Sequence, residues 1–209
     1  MKKTFVLIVL FVLPIVAYLF FASGVNNFGK LPVLTKNVKE LNFVKDSQFK
    51  NNITVLGFLG SNVESRKGNA FNLNQKIYKR FYEFNDFQFV MVVPTGTEDQ
   101  VSEVKKELAT LADNDKWNFI YADPEQIDSL FASLKTDLEL DEKFGTPYVF
   151  IIDKDLSLRG RTKDEDEGTK YGFNSNSVAD LNNKMVDDVK IILAEYRLAL
   201  KKNNADRAK

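Results

Sequence analysis

Four short apolar runs, separated by stretches with helical periodicity, constrain the fold of this 209-residue chain more than any other feature. Runs of this length and composition are typical of strands that are buried on both faces of a sheet. We therefore predict four core strands, at residues 53–59, 87–93, 117–121 and 148–152.

Amphipathic helices are predicted between and after these strands, because apolar residues recur at every third or fourth position. Asp123 followed by Pro124 is typical of a helix start, with a capping carboxylate and then a proline at the first helical position. Residues 156–161 are expected to pair with the fourth strand as an antiparallel hairpin, and residues 38–44 to form a short edge strand or a hairpin arm. The apolar helix positions are Ala70, Leu73, Ile77 and Phe81, then Val101, Val104, Leu108 and Leu111, then Ile127, Leu130, Phe131 and Leu134, and finally Val178, Leu181, Met185, Val189, Ile192 and Tyr196.

The order of these elements predicts an α/β fold in which a mixed sheet is flanked by helices on both faces. A β-α-β-α-β segment is followed by a β-hairpin and then by a final helix. This order resembles that of thioredoxin-like proteins, with an extra helix at residues 126–134 before the hairpin.

The chain contains no cysteine and no histidine. Disulfides, iron–sulfur clusters and thiolate nucleophiles are therefore excluded. The usual general base near neutral pH and the commonest transition-metal ligand are also missing. Lys+Arg and Asp+Glu both number 29, so the balance of charge gives no indication of a nucleic-acid partner.

The N-terminus has the features of a transmembrane anchor. Lys2 and Lys3 precede an apolar stretch, from about residue 5 to 22, that is long enough to cross a bilayer as a helix. The lysines are expected to stay inside, which places the domain on the outer, periplasmic side of the cytoplasmic membrane in a single-pass protein. A cleaved signal peptide is the alternative, although bulky aromatic residues before Ser23 are unusual at a cleavage site. The predicted division is an anchor or signal peptide at 1–24, a linker at 25–37, the domain at 38–202 and a tail at 203–209.

The tripeptide Gly145-Thr146-Pro147 directly precedes the fourth predicted strand. In thioredoxin-like proteins a cis-proline preceded by threonine or valine occupies this place and faces the redox loop. On this resemblance we expect a cis peptide bond before Pro147. The tripeptide alone is equally compatible with a trans proline that opens a strand.

From about residue 41 to 200 the chain resembles the SCO/SenC family of the thioredoxin superfamily. The resemblance lies in the strand residues 55–60, 89–94, 117–120, 150–153 and 158–161, and the N-terminal anchor agrees with it. Members of that family are membrane-tethered proteins implicated in copper delivery to cytochrome c oxidase. The resemblance therefore implies a thioredoxin-like domain in the cell envelope, with a role in respiratory oxidase assembly.

The functional motif of the family is not preserved in this chain. The family carries two cysteines separated by three residues after the first core strand, and at that spacing this chain has Ser61 and Ser65. The family's third copper ligand, a histidine, falls near Gly145 or Thr146. Serine hydroxyls neither hold Cu(I) nor exchange disulfides, so the chain is a degenerate member on this resemblance. We expect no catalytic residue, no metal and no cofactor, and a protein-binding face made of Ser61, Asn62, Glu64, Ser65, Thr146 and Pro147.

The leading interpretation is a membrane-anchored, non-catalytic interaction or assembly factor with an unknown protein partner. One alternative is an enzyme of a different class that uses carboxylate and lysine chemistry in the same cleft, with Lys67 or Glu64 as the base for a serine. Another is a metal-handling role in which a partner supplies the ligands. The acidic run at residues 163–168 is expected to be a solvated loop.

Overall fold

The computed structural model describes residues 2–22, 29–44, 47–111 and 113–207. Two π-helical turns, Asn74–Tyr78 and Leu181–Met185, interrupt longer helical stretches, and a 3-10 turn covers Glu64–Arg66. The strands are β1 (Val33–Thr35), β2 (Ile53–Leu59), β3 (Phe87–Pro94), β4 (Trp117–Ala122), β5 (Gly145–Ile152), β6 (Leu158–Arg159), β7 (Arg161–Asp164), β8 (Gly168–Lys170) and β9 (Phe173–Asn174). The helices are α1 (Lys2–Ala22), α2 (Lys67–Leu73), α3 (Lys79–Phe81), α4 (Glu98–Leu111), α5 (Pro124–Ser133), α6 (Val178–Asp180) and α7 (Val186–Arg207).

The main sheet has the order β1-β6-β5-β2-β3-β4, with β9 paired to β5. Strands β2, β3 and β4 are mutually parallel, whereas β5 is antiparallel to both β2 and β6. β2 is buried along its entire length because it lies in the middle of the sheet with helices on both sides. All four core strands and the hairpin are thus confirmed.

The strand order identifies a thioredoxin-like sheet. Of the four adjacent strands β6-β5-β2-β3, three run in the same direction and only β5 runs against them, as this fold requires. β4 extends the sheet beyond β3, and α5 follows it as the extra helix that the sequence predicts.

Two apolar cores lie on opposite faces of the sheet. One face is covered by α2, α4 and α7, and the other by α5. Alternate residues of β2 supply each core, as the period of a strand requires, with Val55 in the first and Leu56 in the second. Helices therefore flank both faces, as predicted.

Residues 38–44 do not form the predicted edge strand, and β1 occupies that edge beside β6 instead. The segment is a loop because the Glu40 carboxylate accepts hydrogen bonds from three nearby backbone amides, including that of Phe49 at 2.6 Å. Its apolar side chains, such as Leu41, are buried in the core that α5 covers.

The boundaries of the domain also differ from the prediction. Leu31 is already buried and β1 is already paired, so the predicted linker at 25–37 is too long at its C-terminal end. The last helix continues to Arg207, and the predicted tail at 203–209 therefore begins inside the helix.

The helix α1 has 21 residues and contains Pro14. Several of its side chains lie outside the described part of the chain. Within the described part, no helix is long and apolar enough to cross a membrane.

Candidate functional site

The sheet brings the two segments of the predicted site together at one edge. Leu59, at the end of β2, is the register partner of Gly145, at the start of β5. The amide of Ser61 donates a hydrogen bond to the carbonyl of Lys143 at 2.8 Å. The loop that begins at Ser61 therefore lies against the segment that leads into Thr146 and Pro147.

Gly60 permits this close approach. Its φ of +72° is in the left-handed region, and a Cβ placed on it would lie 2.6 Å from the Lys143 carbonyl oxygen. A residue with a side chain would be strained in its backbone and would collide with the backbone opposite. The glycine thus allows the two loops to touch.

The loop from Ser61 to Ser65 is exposed but held in place. The Ser65 hydroxyl donates a hydrogen bond to the Asn62 carbonyl at 2.8 Å, which closes the turn. From α4, the Gln100 side chain donates to the Ser61 carbonyl at 3.2 Å and accepts a hydrogen bond from the Glu64 amide at 3.4 Å. Four predicted site residues, Ser61, Asn62, Glu64 and Ser65, present their side chains to solvent.

Thr146 and Pro147 follow Gly145 in β5 and are less exposed than the loop. Thr146 is only 4% exposed, and Pro147 is half-buried. The Pro147 carbonyl accepts two hydrogen bonds from Ser175, from its amide at 2.9 Å and from its hydroxyl at 2.5 Å. The exposed part of the predicted face is therefore formed mainly by the loop, and Thr146 contributes little exposed surface to it.

The expectation of a cis peptide bond before Pro147 is wrong. No peptide bond in the described residues is cis. β5 is a strand from Gly145 onward, and Tyr148, the residue after Pro147, already pairs with Asn174 of β9. An extended trans backbone maintains the strand through the proline, as in the simpler interpretation of the tripeptide.

An ion pair that the sequence did not indicate connects the two loops. The Arg66 guanidinium lies 2.5 Å from the Asp141 carboxylate. The other carboxylate oxygen accepts hydrogen bonds from the amides of Lys143 and Gly145, each at 2.9 Å. The two charged residues are 75 positions apart, so neither helical nor strand periodicity could have paired them.

The Arg66 side chain also covers Gly145. A Cβ on Gly145 would lie 2.6 Å from Arg66 Nε. This is one of the two positions near which the family resemblance would place a histidine ligand. The guanidinium therefore occupies the space in which a side chain at residue 145 would begin.

Two ionisable groups near the site, Asp141 and Lys67, have pKa values shifted in favour of their charged forms. Partial burial raises the pKa of Asp141, but hydrogen bonds from Gly145, Arg66 and Lys143 outweigh this effect and lower that pKa below its usual value. A hydrogen bond to Glu107, and a second to Glu64, raise the pKa of Lys67 above its usual value. Lys67 is therefore protonated near neutral pH, which is unfavourable for the base that a serine nucleophile needs.

The described residues contain no group of three or more carboxylates that could hold a metal ion. The acidic run at 163–168 is mostly solvent-exposed, as expected, but Asp164 within it is buried. It forms the β7–β8 hairpin, in which Asp164 is buried and accepts a hydrogen bond from Lys184 at 2.6 Å. Its charges are thus used in packing the hairpin against the last helical stretch.

Comparison with known proteins identifies no family: no family model and no curated protein matches the chain. Among solved structures, a candidate electron transfer protein from Aquifex aeolicus VF5 is 15% identical, with a TM-score of 0.49, and the match covers 78% of this chain and 98% of that one. A candidate protein disulfide isomerase from Bacteroides thetaiotaomicron is 11% identical, with a TM-score of 0.49 and coverage of 79% and 95%. BsSco, a member of the Sco family of cytochrome c oxidase assembly proteins, is 14% identical, with a TM-score of 0.45 and coverage of 73% and 95%. At these identities the assignment of the fold rests on the strand order described above.

Proposed function

We propose that this chain is a membrane-anchored, non-catalytic interaction domain that acts as an assembly factor in the cell envelope. Its binding surface is the site face, defined as Ser61, Asn62, Glu64 and Ser65 together with Thr146 and Pro147. The resemblance to the SCO/SenC family makes respiratory oxidase assembly the process to test first. The partner is a protein, and the domain acts on it by contact.

The observation that carries this proposal is the fixed shape of an exposed loop without reactive groups. The loop is held by Gln100, by the Lys143 carbonyl and by the Arg66–Asp141 ion pair. A surface that is ordered before binding loses less conformational entropy when a partner docks. In these contacts the charges of Arg66 and Asp141 are paired with each other, whereas catalysis at this face would require such charged groups to be free.

The charges around the site face favour a basic partner. The segments that follow β3 and β4, and the segment that precedes β5, open at this edge of the sheet. Complementary charge on a partner would speed its association and orient it. Arg66 and Lys67, which follow Ser65, are paired with carboxylates. The acidic residues of these segments are Glu98, Asp99, Asp123, Glu125, Asp137, Glu139, Asp141 and Glu142, against Lys135 and Lys143 as the basic ones.

Attachment to the membrane through residues 2–22 is part of the proposal. The support for it is the sequence, in which Lys2 and Lys3 precede an apolar stretch from about residue 5 to 22. Leu10, Phe11 and Leu13 are more than 60% exposed, so the domain does not bury them. With the paired lysines inside, the domain would lie on the outer side of the cytoplasmic membrane.

Affinity purification of the full-length chain from its own membranes tests the proposal. We expect a protein to copurify with the unaltered chain and to be lost with the variant Glu64→Lys, which reverses a charge on the site face. The matched control is Glu83→Lys, an equally exposed glutamate on the turn that precedes β3 at the other end of the sheet. If Glu64→Lys retains the partner as fully as Glu83→Lys does, the site face is not the binding surface.

A further inference from the structure

An exposed apolar patch with a basic rim lies at the end of the sheet opposite to the site face. Phe84 is 41% exposed and borders a groove of about 170 Å³. A second groove, of about 240 Å³, shares Phe84, Leu193 and Arg197 with the first and reaches Ile53 at the start of β2. We call Phe84, Leu193, Ala194 and Arg197 the Phe84 patch. Because β2 has seven residues, the patch and the site face are about 20 Å apart.

Cationic side chains outnumber the carboxylates around this patch, where Asp86 lines the second groove and Glu83 is exposed beside Phe84. Lys190 and Arg197 line the first groove, and Lys154 lines the second. Lys116 Nζ donates a hydrogen bond to the Phe84 carbonyl at 2.6 Å. In the described residues, Lys154 and Lys190 have carboxylate partners, whereas Arg197 is exposed and makes no ion pair.

The chain enters the domain beside the same helix that carries the patch. The Arg159 guanidinium donates hydrogen bonds both to the Leu31 carbonyl and to the Glu195 carboxylate of α7. Tyr196, the next residue of α7, lines the second groove next to Arg197. The first described residues after α1 therefore reach the domain close to the helix that carries the Phe84 patch.

The connection between α1 and this entry point is short. Nine residue steps separate Ala22 from Leu31, and a fully extended chain spans at most about 3.6 Å per step, or roughly 32 Å in total. If α1 is anchored in a bilayer, the entry point stays within this distance of the headgroups. Because this reach exceeds the roughly 20 Å between the patch and the site face, the tether permits either end to meet the headgroups, and the charge of the two ends selects between them.

We propose that the Phe84 patch docks on anionic lipid headgroups and holds the site face away from the membrane. This inference rests on the membrane anchoring proposed above. Phe84 would insert at the headgroup level, while Lys190 and Arg197 contact the lipid phosphates. The acidic edge that surrounds the site face is repelled by the same anionic surface, so both ends of the domain favour one orientation. The site face is thereby presented to a partner beyond the headgroups.

Fluorescent labels on the full-length chain can test this orientation. The chain has no cysteine, so Phe84→Cys and Ser61→Cys each provide a unique attachment site for an environment-sensitive fluorophore. The labelled chains are reconstituted into vesicles of phosphatidylcholine alone or with phosphatidylglycerol, and lipid-borne quenchers report contact. We expect a blue shift and quenching of the label at 84 in the anionic vesicles only, reversed by high salt, and no change at 61.

Charge-neutralising variants separate docking from anchoring. The double variant Lys190→Gln, Arg197→Gln should lower the ratio of docked to undocked chain at least roughly tenfold. The control Lys135→Gln, Lys143→Gln changes the net charge equally at the other end and should have no such effect. If the chain floats with both vesicle types while the label at 84 stays in water, the proposal that the patch docks on lipid is refuted and the proposed anchor stands. Failure to float with either type would overturn the anchor and this orientation with it.

Discussion

Arg66 and Asp141 join the two loops of the site face through an ion pair of 2.5 Å, although 75 positions separate them in the chain. Asp141 also accepts hydrogen bonds from the backbone amides of Lys143 and Gly145, so one carboxylate holds the segment that leads into β5. The arrangement makes a rigid surface at the place where thioredoxin-like proteins carry their redox loop.

Removal of either partner of this pair should weaken the fold by different amounts. Arg66→Ala should lower the free energy of unfolding by about 1 kcal/mol, because the 46% exposure of Asp141 leaves the pair partly screened. Asp141→Ala should cost more, about 2 kcal/mol, since two backbone amides also lose their acceptor. Urea unfolding followed by the single buried tryptophan, Trp117, measures both. Lys190→Ala, which removes an ion pair whose two side chains are about 60% exposed, is the control and should change stability by less than about 0.5 kcal/mol. Equal effects of all three would contradict this account.

The contribution of Asp141 should depend on pH. Its pKa is lower in the folded chain than the usual value of 3.8, so the charged form is bound more tightly in the folded state. Its contribution is complete above 3.8 and is lost as the pH falls through the folded pKa. The difference in unfolding free energy between the unaltered chain and Asp141→Asn should therefore be constant from neutral pH to about 5 and shrink on further acidification. A difference that grows with acidification would refute this assignment.

Two glycines near the site should respond in opposite directions to alanine. Gly60→Ala should destabilise the chain by about 2–4 kcal/mol, because it adds a strained φ to a collision with the Lys143 carbonyl. Gly68→Ala should be neutral or stabilising by up to about 1 kcal/mol, because Gly68 lies in α2 and its new Cβ meets nothing within 4 Å. Thermal and urea unfolding of the two variants provide the comparison. A Gly60→Ala variant as stable as the unaltered chain would show that the two loops do not approach as described.

The two serines of the site face should be inert toward reagents that trap serine nucleophiles. The Ser65 hydroxyl donates a hydrogen bond to the Asn62 carbonyl. Two glutamates keep Lys67, one of the two bases considered in the enzymatic alternative, protonated. Incubation with a fluorophosphonate, followed by intact-mass analysis, should leave the mass unchanged. A stoichiometric adduct on Ser61 or Ser65 that is lost in the alanine variant would favour the enzymatic alternative.

The fold was predictable because it depends on local patterns. Continuous apolar runs identified the four core strands, and three-to-four spacing identified the helices on both sides of the sheet. The edge was mistaken because residues 38–44 alternate like a strand, whereas Glu40 collects backbone hydrogen bonds that turn them into a loop. The actual edge strand, β1, has only three residues and gives no periodic signal.

The site was only partly predictable. The end of β2 lies beside the start of β5 because the two strands are antiparallel neighbours. The residues after β2 and before β5 could therefore be expected to meet. The Arg66–Asp141 pair could not, because it is a contact between two irregular loops. The peptide bond before Pro147 was also wrongly predicted to be cis. The pairing of Tyr148 with β9 and the hydrogen bond from the Ser175 hydroxyl to the Pro147 carbonyl are tertiary features, which the sequence pattern does not reveal.

Site-specific photo-crosslinking in native membranes tests the central claim most directly. A photoreactive residue at position 61 or 65 of the full-length chain should yield one discrete adduct with another protein, and the same residue at position 83 should yield none. Adducts of equal yield at all three positions, or an adduct at position 83 alone, would contradict a protein-binding role for the site face.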